Sequence, residues 1–184
     1  IHCGLVGSEM CIRDRYLIEH KGRNNLIKNL VKDLDGNTLV LFNYVEKHGT
    51  PLYELINNNV ESSRKVFFVH GRTDVEDREE VRNLTETESN AIIVASYGTF
   101  STGINIKRLH NIVFASPSKS RIRNLQSIGR VLRKGEGKDI ATLYDIADDI
   151  GGQNYTLKHL NERVNIYNNE NFKYEVIRVN LRAN

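Results

Sequence analysis

Residues 118–133 read Ser-Lys-Ser-Arg-Ile-Arg-Asn-Leu-Gln-Ser-Ile-Gly-Arg-Val-Leu-Arg. Helical spacing divides this stretch into two faces. Leu125, Ile128, Gly129 and Leu132 recur at i, i+3, i+4 and i+7, the pattern of a buried stripe. Gln126, Arg130 and Arg133 recur at i, i+4 and i+7 and form a polar stripe beside the first. Gly129 lies at the seam, where a missing side chain lets a second backbone or a ligand come close. Two guanidiniums and an amide on one anchored face suit a polyphosphate, because Arg is planar, permanently charged and binds oxygens in pairs. A solvated charged face has the same spacing. The rest of the chain has to decide between them.

On both sides of this stretch run short apolar segments. Residues 38–42, 65–69, 91–95, 111–115 and 140–146 are mostly apolar and end in turn or polar residues. Continuous apolar runs of this length mark strands buried on both faces of a parallel sheet. Helical patterns fall between them. Leu26, Ile27, Leu30, Val31 and Leu34 follow helical spacing and stop at Asp35-Gly36-Asn37. Thr50-Pro51 predicts an N-cap and first turn for a short helix through Ile56. Thr73 and Glu76 predict a capping box for a charged helix reaching Thr87. Strands alternating with helices at short connections imply an α/β fold with a mostly parallel sheet. Ligands of such sheets bind beyond the carboxyl ends of the strands. Asn43, His70-Gly71, the loop 96–105 and Pro117 fall at those ends. After residue 150, Leu157, Leu160, Val164, Ile166 and Tyr167 suggest a helix, and Tyr174 to Val179 alternates like an edge strand. Residues 151–184 thus read as a helix-strand appendage packed on a domain of residues 16–150.

The 184 residues suit one domain with a small addition. The balance of 26 Lys+Arg against 23 Asp+Glu permits nucleic-acid binding without requiring it. No apolar run approaches the length of a membrane span. Residues 1–15 show no period and hold both cysteines, Cys3 and Cys11. They resemble a translated sequencing adapter, and the expectation is that they are a non-native leader. The remainder has no cysteine, so disulfides and thiolate metal sites are excluded from it. His20, His48, His110 and His159 show no metal-ligand spacing.

Residues 96–105, Ser-Tyr-Gly-Thr-Phe-Ser-Thr-Gly-Ile-Asn, offer hydroxyls and glycine-freed amides after a buried strand, a natural phosphate-binding loop. An ordinary βα turn has the same composition. The phosphate-cradling pattern G-x-x-x-x-G-K-[ST] is missing, and none of the predicted strands ends in an Asp-Glu pair able to hold Mg²⁺.

Gln126-x-x-Gly129-Arg130-x-x-Arg133 resembles motif VI of the superfamily 2 helicases and translocases. The loop 96–105 resembles their motif V, residues 39–44 resemble motif IV, and His70-Gly71 resembles their phosphate-contacting turn. The resemblance implies the second, C-terminal RecA-like domain, a three-layer α/β/α sandwich. It further implies arginine fingers at Arg130 and Arg133, with Gln126 orienting the phosphate or the attacking water. Gly103, Asn105 and Gly129 would line the nucleotide cleft. Asn43, His70, Gly71, Ser96 and Thr99 would contact nucleic-acid backbone. Asn105 stands where the family often has Asp, and Ser96 where it has Thr. The implied cofactor is ATP with Mg²⁺, the metal being held by a first RecA-like domain outside this chain, and the implied partners are DNA and that domain, in a cytoplasmic protein. Without that domain the chain is expected not to hydrolyse ATP. Residues 37–42, Lys47-His48-Gly49 and the run from Tyr155 to Tyr167 further resemble UvsW-type helicases of T-even-like phages, which remodel branched DNA in recombination and fork restart. A restriction-system translocase subunit and a non-catalytic RecA-like binding module remain the alternatives.

Overall fold

Five parallel strands form a single sheet in the computed structural model, which describes residues 15, 17–74, 76, 79, 83, 87–101, 108–116, 141–151 and 155–181. The strands are β1 (Thr38–Phe42), β2 (Val66–Val69), β3 (Ile92–Ser96), β4 (Asn111–Phe114) and β5 (Thr142–Asp145). Their order across the sheet is β2-β3-β1-β4-β5. In the central three strands Val40 lies opposite Val94 on one side and Val113 on the other. Every residue of β1, β3 and β4 is buried, whereas the edge strands β2 and β5 are largely half-exposed. The continuous apolar runs are thereby explained, since a strand covered on both faces has no solvent side to carry polar residues.

Period-2 alternation distributes these side chains to two cores. On one face Val40, Phe42, Ile92, Val94 and Val113 pack with Ile27 and Val31 of helix α1 (Lys21–Asp33) and Leu52 and Ile56 of helix α2 (Thr50–Asn57). On the other, Leu39, Leu41, Ile93, Ile112 and Phe114 pack with Tyr167, partly buried Val164 and Ile166 of helix α4 (Tyr155–Asn169). Each fully buried aliphatic side chain contributes about 1.5–3 kcal/mol relative to exposure. The three layers expected of the fold are present.

Several local expectations change. Helix α1 starts earlier than its apolar stripe, at Lys21, because the His20 ring accepts the Arg23 N–H at 3.1 Å and caps it. Thr50 is not an N-cap. A π-helical turn, Val45–Gly49, runs directly into α2, and the Thr50 hydroxyl donates back to the Val45 carbonyl at 3.2 Å. Pro51, which has no N–H, sits beside this widened turn, where the Gly49 N–H reaches the Tyr44 carbonyl at 2.8 Å. Gly49 has to be glycine there, because a Cβ would lie 2.4 Å from the Phe42 ring. Residues 96–105 are not all loop: Ser96 ends β3 and a short helix, α3 (Tyr97–Ser101), follows at once. The Thr73 hydroxyl accepts the His70 N–H at 2.9 Å, and most of the charged helix after it lies outside the described residues. Tyr174 to Val179 is no edge strand of this sheet, for the segment pairs with none of the five strands. The predicted helix 118–133 lies outside the described residues, as do residues 1–14 of the expected leader.

Candidate functional site

Because all five strands are parallel, their carboxyl ends share one edge. The connection after β1 leads to β2 on one side of the sheet, and the connection after β4 leads to β5 on the other. Neighbouring strands whose connections diverge leave a crevice between them, the usual ligand position in open α/β sheets. Here that crevice lies between the ends of β1 and β4, beside Asn43 and Ser116.

A short polar chain spans this crevice. The Asn43 amide nitrogen donates to the Ser116 carbonyl at 3.0 Å. His48, 1% exposed, lies beneath, with Nδ1 2.7 Å from the Ser116 hydroxyl and Nε2 3.2 Å from Asn24 Oδ1. Asn24 directs its nitrogen to the Ile18 carbonyl, so its oxygen faces His48 as an acceptor. The proton therefore sits on Nε2, and Nδ1 accepts from Ser116. Burial, and secondarily the nearby Arg23 charge, push the His48 pKa down to about 4, which keeps the ring neutral near pH 7. Asn43 Oδ1 is buried and has no hydrogen-bond partner among the described residues. As oriented, Asn43 has a spare acceptor, whereas a backbone phosphate asks for a donor. Tyr44, next in sequence, is 46% exposed at the same edge.

At the end of β2, His70 packs its ring 5.1 Å from that of Phe68. Its Nδ1 accepts the Arg72 N–H at 3.3 Å, which leaves Nε2 as the donor nitrogen of the neutral ring. Gly71 is exposed, and a Cβ added there would meet nothing within 4 Å. At the end of β3, Ser96 and Thr99 are buried and their hydroxyls lie 2.7 Å apart. The Ser96 oxygen also accepts the Thr99 N–H at 3.3 Å. These hydroxyls close the first turn of α3 and point at one another, while Gly98 beside them faces open space.

The end of β5 is closed by buried charge. Asp145 receives Arg163 in bidentate fashion, Nε at 2.7 Å and Nη2 at 2.9 Å, and the Tyr167 hydroxyl at 2.7 Å. Burial, reinforced by the Asp145 charge, raises the Tyr167 pKa so that the phenol stays protonated. Three residues on, Asp148 accepts Arg23 Nε of α1 at 2.8 Å, with both side chains largely buried. The segment leaving β5 is thus held by α4 from one face of the sheet and by α1 from the other. Sequence reading missed this cluster, as it missed His48. The only available signal was an Arg at a position of α4 whose spacing, between Leu160 and Tyr167, is that of the buried stripe.

The structure therefore brings Asn43, His70, Gly71, Ser96 and Thr99 to one edge of one sheet. Gln126, Gly129, Arg130, Arg133, Gly103 and Asn105 lie outside the described residues. Among the described residues no group of three His, Cys, Asp or Glu converges on a metal position, and no helix is long and apolar enough to cross a membrane. What the edge offers is backbone N–H groups, one imidazole donor, glycines with open space beside them and the exposed Arg72, a set able to hold an anionic oxygen by hydrogen bonds.

Comparison with known proteins fits this arrangement. The chain is 42% identical to the ATP-dependent DNA helicase uvsW of Enterobacteria phage T4, over 86% of this chain and 34% of that protein. The crystal structure of T4 UvsW superposes with a TM-score of 0.71 at 38% identity, covering 87% of this chain and 35% of the other. Domain 2 of the DEAD-box helicase Mss116p, solved on an RNA duplex, gives a TM-score of 0.56 at 15% identity, covering 84% of this chain and 55% of that one. At that identity the likeness is one of fold alone. The chain spans about a third of the length of the T4 relative. Residues 22–135, from the start of α1 through β4 and the Gln126 to Arg133 stretch, match the family model of the helicase conserved C-terminal domain, and the chain belongs to that family.

Proposed function

We propose that this chain is the C-terminal RecA-like domain of an ATP-dependent DNA helicase of the UvsW type, acting on branched DNA. The observation that carries the proposal is the 42% identity to an ATP-dependent DNA helicase over 86% of the chain. It is supported by the gathering of His70, Gly71 and Ser96 at the carboxyl edge, beside the crevice bridged by Asn43 and Ser116. In this reading Arg130 and Arg133 face the nucleotide held by the preceding domain and stabilise charge on the transferring phosphoryl group. Arginine fingers contribute about 10³–10⁵ in rate in phosphoryl transfer generally. Gln126 orients the phosphate or the attacking water, and Gly103, Asn105 and Gly129 line the nucleotide cleft. Mg²⁺, where ATP carries it, is held by carboxylates outside this chain. His70 Nε2–H, the Gly71 amide and the start of α3 hold DNA phosphates, which positions the strand without reading its bases. Asn43 takes part through its second amide hydrogen.

The test uses the isolated chain and the complete polypeptide together. The isolated chain should bind single-stranded DNA weakly, with log K falling against log salt at a slope of roughly −2 to −4 for about four phosphate contacts. It should show no DNA-stimulated ATPase activity. Arg130→Ala with Arg133→Ala should leave that DNA binding unchanged and abolish ATPase activity in the complete polypeptide. Loss of DNA binding with ATPase intact would instead make residues 118–133 a nucleic-acid face and the chain a binding module.

A further inference from the structure

The segment after α4 is the most exposed apolar stretch among the described residues. The Phe172 N–H closes back on the Tyr167 carbonyl at 2.9 Å, and the Tyr174 ring sits 6.2 Å from that of Tyr167. Beyond this anchor every residue from Lys173 to Leu181 is exposed. Val176 is 74% exposed, Ile177 73%, Val179 53% and Leu181 40%. Of the six strongly exposed large apolar side chains among the described residues, five lie between Tyr174 and Leu181. No hydrogen bond joins residues 173–181 to the rest of the described structure.

This composition is wrong for a surface loop, which favours Gly, Pro, Asn, Asp and Ser. Val and Ile in close succession favour a strand. Alternation puts Tyr174 and Val176 on one face and Ile177, Val179 and Leu181 on the other. A strand apolar on both faces belongs in a sheet covered on both sides. Neither edge strand of this domain, β2 or β5, receives it. We propose that residues 174–181 form a β-strand donated to the part of the same polypeptide that lies outside this chain, where it pairs with an unpaired sheet edge. The T4 relative is covered over only 34% of its length, so most of such a protein is available as the occupant. A second copy of this segment is the poorer partner, because two such strands alone would make a two-stranded ribbon, marginal in water and still apolar on its faces. Arg178 lies on the face of Tyr174 and Val176, and Glu175 on the face of Ile177. The receiving edge should therefore set an acidic residue opposite Arg178 and a basic one opposite Glu175.

The inference rests on the function proposed above only in requiring a further domain in the same polypeptide. It is tested by hydrogen exchange of residues 174–181 in the isolated chain and in the full-length polypeptide. In the isolated chain these amides should exchange as in an unstructured peptide; in the full-length polypeptide they should slow at least tenfold. Val176→Pro removes a ladder N–H. It should restore fast exchange in the full-length polypeptide and leave the melting temperature of the isolated chain unchanged. Equally fast exchange in both proteins overturns the proposal. So does concentration-dependent protection in the isolated chain, which would make a second copy the occupant. DNA-stimulated ATPase activity measured on the same full-length sample separates the two readings. Protection without ATPase activity sinks the helicase reading and keeps the docked strand, and ATPase activity without protection does the reverse.

Discussion

Two asparagines flank β1, and they are used in opposite ways. Asn37, at the amino end, is fully buried and completely engaged. Its nitrogen donates to the carbonyls of Glu88 at 2.8 Å and Arg108 at 2.9 Å, and its oxygen accepts the Ala91 N–H at 2.8 Å. Arg64 seals the same edge, donating to the carbonyls of Val31, Leu34 and Asn90 at 2.8–3.2 Å. Asn43, at the carboxyl end, makes one bond and leaves a buried oxygen without a partner among the described residues. Next to it lie a π-helical turn and a neutral buried histidine, and at the ends of β3 and β2, one and two strands away, Gly98 and Gly71 have open space beside them. An edge whose polar groups satisfy one another holds a fold together. The edge that leaves a group unmatched is the one to which the proposed function assigns a ligand.

The largest effect should test whether the carboxyl edge is open along its whole length. Arg163→Leu leaves Asp145 buried without its cation, and loss of one partner of a buried pair costs about 3–5 kcal/mol. Thermal or denaturant unfolding should show that loss, and adding Asp145→Asn should recover much of it. A negligible effect of the single change would mean that the end of β5 is as loosely tied as the end of β1.

Next comes the amino edge. Asn37→Ala strands the buried Ala91 N–H, at about 1–3 kcal/mol for an unsatisfied buried group, and frees the carbonyls of half-buried Glu88 and exposed Arg108, which water can reach at smaller cost, so a total loss of roughly 3 kcal/mol is expected. DNA affinity of the fraction that remains folded should not change. A change in affinity would break the division of labour between the edges.

His48 makes the carboxyl edge sensitive to acid. Its pKa is lowered from 6.5 unfolded to about 4 folded, so the unfolded chain binds the proton more readily. Its contribution is present above the unfolded pKa and is lost as pH falls from about 6.5 towards 4, by about 3 kcal/mol. Denaturant midpoints measured across that range should fall, and His48→Gln should flatten the dependence. A wild-type curve no steeper than that of His48→Gln would remove the buried neutral imidazole from the account.

The smallest stability effect belongs to the open end of β2. Gly71→Ala meets no atom within 4 Å and should shift stability by no more than about 0.5 kcal/mol. A methyl there would still crowd a phosphate approaching the Gly71 amide, so DNA binding should weaken several-fold while the melting temperature holds. If binding is untouched as well, Gly71 is open surface and nothing more.

Periodicity alone determined the layers. Five apolar runs without alternation required a sheet covered on both faces, and the turn residues after them located the edge to which the proposed function is assigned, because both signals are written in neighbouring residues. Local spacing also set apart Gln126, Arg130 and Arg133 as a polar stripe. Tertiary structure decided which residues at that edge are engaged with one another. Ser96 and Thr99 read as free hydroxyls until the first turn of α3 folded them together. Thr50 read as a cap until the preceding turn widened and took its hydroxyl. His48 bonds to Asn24 and Ser116, which lie 24 and 68 residues away, and Arg163 reaches Asp145 across 18. No spacing rule covers such separations: hydrophobic period reports which face is buried, while the partner of a buried polar group is set by which strand ends the sheet order brings together.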